Sequence, residues 1–288
     1  MMKKYLSHLY ILAGAAMWGC IGLFSRPLLS AGFSTGNVVV IRNLGGMVVL
    51  LLWFLLREPD VLRISPRHLP LFFGTGICCI LFFALCYFRC QQLCSLAVSA
   101  ILLYMAPAIV VVLSALVLHE RITRRKLAAL ALALLGCSFV TGIWSGGLTV
   151  TAEGVLFGLG SALFYALYSI ISPFALRHYA PFTVVVWTFI FSGLGSLFSL
   201  DWQGMKNGFA AQPQLLLCAL GLAVIATALP FLLYTRGLSG VESSRAAILA
   251  CVEPVVAALA GILVFHEPVT AGVLPGLGCI LACVYLLR

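Results

Sequence analysis

Charge is the scarcest commodity in this chain. Only 9% of its 288 residues are Asp, Glu, Lys or Arg, against about 25% in a soluble domain. That is too little to cover a water-facing surface, and a mean hydropathy of +1.15 points the same way. The net charge of +9 does not mark a nucleic-acid surface, because the bases are scattered between apolar runs and form no basic domain. No Gly-x-x-x-x-Gly-Lys-Ser/Thr loop is present, so the chain has no nucleotide-binding element of that type. His119-Glu120 lacks the second His of a zinc-protease helix, since position 123 is Thr. Eleven cysteines are an odd number with no Cys-x-x-Cys pair, which excludes the usual redox and zinc patterns. Cys86, Cys90 and Cys94 share a helical face, as small apolar fillers would. Every His (His8, His68, His119, His178, His266) falls at a helix end or in a loop, and no pair of carboxylates is buried. An intramembrane enzyme would need such groups at membrane depth. No cofactor or metal is expected.

What fills the chain instead is apolar sequence, 63% of it. Spanning helices need about 20 mostly apolar residues, and ten such segments are expected near 5–25, 36–56, 69–88, 96–118, 126–144, 153–174, 182–200, 213–235, 243–265 and 270–287. Short breaks with turn residues separate them, among them Arg57-Glu58-Pro59-Asp60, Ser145-Gly146-Gly147 and Asp201-Trp202-Gln203-Gly204. Lys3-Lys4 followed by an apolar run imitates a signal peptide. The same segment recurs at 155–176, deep in the chain, so the first run is expected to stay as a helix.

The chain repeats itself. At an offset of 147, Ala100-Ile101 meets Ala247-Ile248, Pro107 meets Pro254, His119-Glu120 meets His266-Glu267 and Thr123 meets Thr270. Tyr87, Arg89 and Gly74 meet Tyr234, Arg236 and Gly221, and at 146 Gly14 and Pro27 meet Gly160 and Pro173. A sustained offset is a duplication, with units at 1–144 and 153–288 in one compact membrane domain. Five helices per unit is odd, so the two copies must cross the membrane in opposite directions. Charge agrees. With both termini cytoplasmic, twelve of the 17 Lys and Arg lie on the cytoplasmic side and three outside, Arg42 and Arg245 being within helices. Arg121 to Lys126 carries four bases where its counterpart, Pro268 to Val273, carries none. These bases read as topology determinants.

A five-helix unit with Pro in its fourth helix, a Glu closing that helix and a small-residue helix after it resembles the EamA family of the drug/metabolite transporter superfamily. The matching stretches are 97–136 and 244–281, Trp18-Gly19, and Arg42 within VVVIRNLGG. The resemblance implies an all-α integral membrane fold of ten transmembrane helices in two inverted five-helix repeats, moving small metabolites, with helices 1–4 and 6–9 lining the path.

Inverted repeats commonly place a site near the midplane. Pro107 and Pro254 are expected as paired hinges, each freeing a carbonyl one turn back. Glu253 lies about 15 Å into its helix, where a carboxylate costs on the order of 3 kcal/mol. Its counterpart is Ala106, so the fold does not require an acid there. It is the candidate coupling residue; the structural alternative is a protonated acid bonded to a neighbouring backbone. Arg42, beside Asn43, and the aromatic and amide groups Trp18, Tyr87, Gln91, Tyr104, Tyr165, Tyr168 and Trp187 complete the candidate binding set. Such rings with few polar groups suit an amphipathic organic solute, although packing would account for any one of them. The expected function is a secondary transporter, in the exporting direction by resemblance, of amino acids or related solutes, with protons through Glu253 as the drive. A cationic amine or lipophilic drug is the alternative substrate. A channel would show polar rings or a filter loop. Helices five and ten are expected as peripheral braces, the chain being a monomer or a homodimer through them, in the plasma or inner membrane.

Overall fold

The computed structural model describes residues 2–143, 149–266 and 271–287. The Ser145-Gly146-Gly147 break, Glu267, Thr270 and Arg288 lie outside the described residues. Within them the chain is helical, without strands. Eight helices are long and apolar enough to cross a membrane. They are α1 (Tyr5–Ser30), α2 (Thr35–Arg57), α3 (Pro66–Leu93), α4 (Ala97–Val117), α6 (Ala152–Leu176), α7 (Pro181–Ser199), α8 (Leu215–Leu238) and α9 (Ser243–Phe265). Two shorter helices, α5 (Arg124–Val140) and α10 (Val273–Leu286), occupy the remaining expected segments. Thus the ten apolar segments all fold as helices, two of them shorter than a full span.

Local chemistry sets the boundaries. Ser34, Ser95, Thr123 and Thr151 each accept a backbone N–H from the first turn that follows, satisfying one of the donors a helix start leaves open. The ends of the fourth helix in each copy are marked by His119 and His266, both left-handed at φ 57° and 54°. That conformation stops the helix and turns the chain away. Asp201-Trp202-Gln203-Gly204, expected as a turn, instead opens a short helix, Trp202–Ala211, with Asp201 accepting from the Gly204 N–H. Sequence periodicity over ten residues is too short to reveal it.

Packing follows the duplication. α1 packs on α8 as α3 packs on α6; α4 meets α6 as α9 meets α1. Three further pairs, α2 with α7, α4 with α9, and α5 with α10, each join a helix to its own counterpart. This is the pattern of an approximate two-fold relation between repeats. Two features absent from the sequence reading repeat with it. α3 widens to π-helical turns at Gly74–Leu81, and α8 does so at Val224–Ala228, within the stretch equivalent by the 147-residue offset. Hydroxyls help satisfy backbone there: Thr75 donates to Phe72 O (3.1 Å) and Thr227 to Leu222 O (2.7 Å). In hydrocarbon such groups find no water.

α5 and α10 pack on each other through small residues, which let two backbones approach. A Cβ added to Gly276 would lie 2.9 Å from Gly136 O, and one on Gly136 would lie 3.0 Å from Gly276 O. The expected brace is therefore built within one chain.

The end of the bundle that carries the Arg121–Lys126 loop is tied across the repeats by Glu120. His119 turns the chain so that the Glu120 carboxylate meets the start of α9, accepting the N–H groups of Ser243 (2.7 Å) and Ser244 (3.2 Å) and the Ser244 hydroxyl. A carboxylate is favoured at a helix N-terminus, where open N–H groups and the helix dipole converge. Lys126, 2% exposed, bridges Glu120 (3.4 Å) and Glu242 (3.1 Å), and Arg245 completes the network on Glu242 (2.9 Å).

Two outcomes follow. Gly276→Leu should destabilise the purified protein by about 1–3 kcal/mol through overpacking, whereas Gly278→Leu, which meets nothing within 4 Å, should leave thermal unfolding unchanged. Glu120→Gln should cost roughly 3 kcal/mol, because it leaves buried Lys126 with only Glu242; a melting midpoint equal to wild type would contradict the clamp.

Candidate functional site

The prolines do more than kink their helices. Regular α-helix in α4 ends at Leu103, Tyr104 and Met105 form a turn, and the helix restarts at Ala106 with Pro107 in its first turn. Ala108 and Ile109 both donate to Met105 O (3.0 and 3.2 Å). In α9 the helix ends at Leu249, makes one 3-10 turn at Ala250–Val252, and restarts at Glu253 with Pro254 next. Pro lacks the N–H that would continue the ladder and its ring crowds the carbonyl four residues back. The result is two half-helices whose N-termini lie within the bundle. Such ends carry the positive pole of the helix dipole, and Glu253 is the first residue of one of them.

These two breaks face one another across a cavity. Leu103, Tyr104, Ala106 and Pro107 line it from α4, Ala247, Ala250, Cys251 and Glu253 from α9, and Tyr165 from α6. Its volume is about 10 Å³, room for a single water. A second cavity of the same volume, about 10 Å³, is lined by Trp18, Cys79, Ile80, Phe83, Tyr165, Tyr168, Ser169, Phe231 and Tyr234. Tyr165 lines both. In this arrangement neither of these two cavities has space for an organic solute.

Around the cavities stands an aromatic wall. Trp18 makes edge contacts with Phe231 (4.9 Å) and Tyr165 (6.2 Å) and lies 5.1 Å from Tyr234. Phe83 packs edge-on against Tyr165 (5.5 Å) and stacks with Tyr87 (6.0 Å). Arg42, 8% exposed, places its guanidinium 5.6 Å from the Phe83 ring centre, within cation–π range. Arg42 and Glu253 interact electrostatically, but no ion pair within 4 Å joins them. The Arg42 Nε, the Trp18 Nε1 and both amide atoms of Asn43 are buried without a hydrogen-bond partner. Buried polar atoms are rarely left so.

Of the candidate residues, Trp18, Tyr104, Tyr165, Tyr168 and Glu253 line the cavities, and Arg42 and Tyr87 reach them through Phe83. Gln91 stands one turn beyond Tyr87 on α3, beside its hydroxyl. Asn43 is fully buried in α2 and lines neither cavity. Tyr168 has its own partner, Thr235, at 2.6 Å. Trp187 is elsewhere: its Nε1 donates to Leu62 O (3.2 Å), and it packs with Phe72 and Phe191. Phe83, Phe231, Tyr234 and Cys251 are additions. Phe83 was findable four residues before Tyr87, and Tyr234 as the repeat counterpart of Tyr87; Phe231 and Cys251 carried no signal beyond apolarity. Among the described residues no group of three or more His, Cys, Asp or Glu could hold a metal.

Comparison with known proteins agrees with this architecture. The model of the EamA-like transporter family matches the chain twice, at residues 6–142 and 152–288. An "uncharacterized transporter" of Archaeoglobus fulgidus is 33% identical over 96% of this chain and 94% of its own length. The "uncharacterized transporter YwfM" of Bacillus subtilis is 28% identical over 92% of this chain and 88% of its own. The "uncharacterized inner membrane transporter YicL" of Salmonella typhimurium is 26% identical, over 88% and 86%. A solved crystal structure superposes with a TM-score of 0.80 at 18% identity, covering 97% of this chain and 95% of the other, and shares its fold. With two family units spanning most of the chain and eight membrane-length helices among the described residues, the chain belongs to the EamA-like transporter family and is a multi-pass membrane transporter, not an enzyme.

Proposed function

We propose that the chain moves a small amphipathic organic solute by alternating access, binding it where the broken helices of the two repeats meet. The supporting observation is the cavity shared by the α4 and α9 breaks, which draws its polar lining from both copies: Tyr104 from the first, Tyr165 and Glu253 from the second. Arg42 and Glu253 would engage opposite charges of a zwitterion such as an amino acid, and Trp18, Phe83 and Tyr165 its apolar part. Half-helix ends directed at a substrate are a recurring device in inverted-repeat transporters.

In this reading the fold is ten spans in two inverted repeats, 1–144 and 153–288, with α5 and α10 completing the count as an outer brace. The hinges are Pro107 and Pro254. Both termini and the basic loop are cytoplasmic, and the membrane is the plasma or inner membrane, as the name of the Salmonella relative says of that protein. One chain contains the whole site, so the monomer is the transporting unit. A homodimer would form on the outer faces of α5 and α10, where Leu127, Leu135, Leu274 and Leu281 are exposed. The direction is export, following the family resemblance, and Glu253 carries the coupling proton.

A cationic amine or lipophilic drug is the second reading. It is favoured by the aromatic wall and by Glu253 having, among the described residues, no ion pair that would neutralise it.

Glu253→Gln keeps the size and removes the titratable proton. In proteoliposomes offered pooled amino acids, amines and nucleosides, wild type should accumulate one class and respond to an imposed pH gradient. The variant should retain counterflow within about a factor of three and lose the gradient response. A variant still driven by the gradient at the wild-type rate would remove Glu253 from coupling. Accumulation of amines alone would select the second reading.

A further inference from the structure

We propose that the bundle end carrying Glu120 holds a binding site for the phosphate of an anionic lipid headgroup, in the cleft between the start of α5, the start of α9 and the end of α10. Sequence spacing alone assigns Arg124, Arg125 and Lys126 to topology and places Arg245 within a helix. Folding brings all four to the rim of one cleft of about 480 Å³.

Among the described residues, every ionisable side chain lining that cleft is basic. Lys126 and Arg245 already have acidic partners, Glu120 and Glu242, but neither acid lines the cleft. Arg124 and Arg125 are exposed, and neither has an ion-pair partner among the described residues. Among the described residues the site therefore holds two guanidinium groups without an acidic partner, the side chains best matched to paired phosphate oxygens. Leu286 and Leu287 close the opposite wall. An apolar wall beside paired guanidiniums fits the glycerol and upper acyl region of a lipid better than a free ion. Basic pockets between helices at the membrane surface are a recognised mode of headgroup binding.

The duplication supplies an internal contrast. At the offset of 147, Arg124, Arg125 and Lys126 correspond to Ala271, Gly272 and Val273, and Arg245 corresponds to Val98. Three of the cations come from the first copy and Arg245 from the second, and none of the equivalent positions in the opposite copy is charged. Because Arg245 starts α9 and Arg124 starts α5, an occupant would touch both repeats beside the Glu120 clamp and brace that end of the bundle.

The test uses the purified full-length chain in neutral detergent, with thermal unfolding read against added short-chain phosphatidylglycerol, short-chain phosphatidylcholine and inorganic phosphate. Phosphatidylglycerol should raise the wild-type midpoint saturably and phosphatidylcholine should not. Arg124→Gln with Arg125→Gln, both exposed and unpaired, should weaken the phosphatidylglycerol response at least about tenfold. Arg63→Gln with Arg67→Gln removes the same charge from another exposed loop and should leave the response unchanged. An undiminished response in the first pair, or an equal loss in the second, would overturn the site. A response to inorganic phosphate as large as that to phosphatidylglycerol would overturn the lipid assignment.

Discussion

A backbone amide or carbonyl left unpaired in hydrocarbon costs several kcal/mol, and this chain interrupts its helices repeatedly at depth. α4 breaks at Tyr104–Met105, α9 at Ala250–Val252, and α3 and α8 widen to π-helical turns. Such irregular backbone is tolerated only where protein or a cavity covers it. Each interruption is therefore turned inward against the other repeat, and the packing serves that need. α3 approaches α7 so closely that a Cβ on Gly76 would lie 2.6 Å from Thr188 O, and one on Gly19 would lie 2.6 Å from Glu253 O. The breaks of α4 and α9 and the cavity between them lie in this buried backbone.

Duplication supplies the scaffold, and departures from it supply the chemistry. Arg42 corresponds to Phe189, Glu253 to Ala106, and Gly19 to Tyr165. In each case a charge or ring occupies one copy and a neutral or smaller residue the other. The half-helix that begins with Glu253 and the one that begins with Ala106 each carry Pro in the first turn, so a paired set of helix breaks surrounds an asymmetric set of contacts. The same division holds at the surface, where Arg124, Arg125, Lys126 and Arg245 have no basic counterparts. His119 and His266 mark the opposite case: the left-handed cap is retained in both copies because each must stop its fourth helix.

The sequence made the architecture legible because hydrophobic length, Pro and the 147-residue offset are all one-dimensional signals. All ten segments appear as helices within a few residues of their expected limits. What it hid depends on partners distant in the chain. Nothing in Gly74–Leu81 announces a π-helical stretch, and Pro107 and Pro254 do not reveal whether a helix bends or restarts. Glu120 was visible only as a repeated His-Glu pair; its attachment to Ser243 and Ser244 needs the fold. Trp187 has the composition of a binding residue, yet Leu62 O captures its only donor. Trp18, Tyr104 and Tyr165 had no stronger local signal than Trp187, and only their convergence separates them from packing.

The central claim is that the paired breaks of α4 and α9 form a cavity that opens alternately to the two sides. Cys251 lines that cavity, so a variant retaining it as the only cysteine reports on the claim directly. Vesicles of known orientation would be treated with a membrane-impermeant thiol reagent from one side and then, in separate samples, from the other. The account predicts slow modification of Cys251 from either side. Absence of modification from both, with rapid reaction once the protein is unfolded, would contradict it.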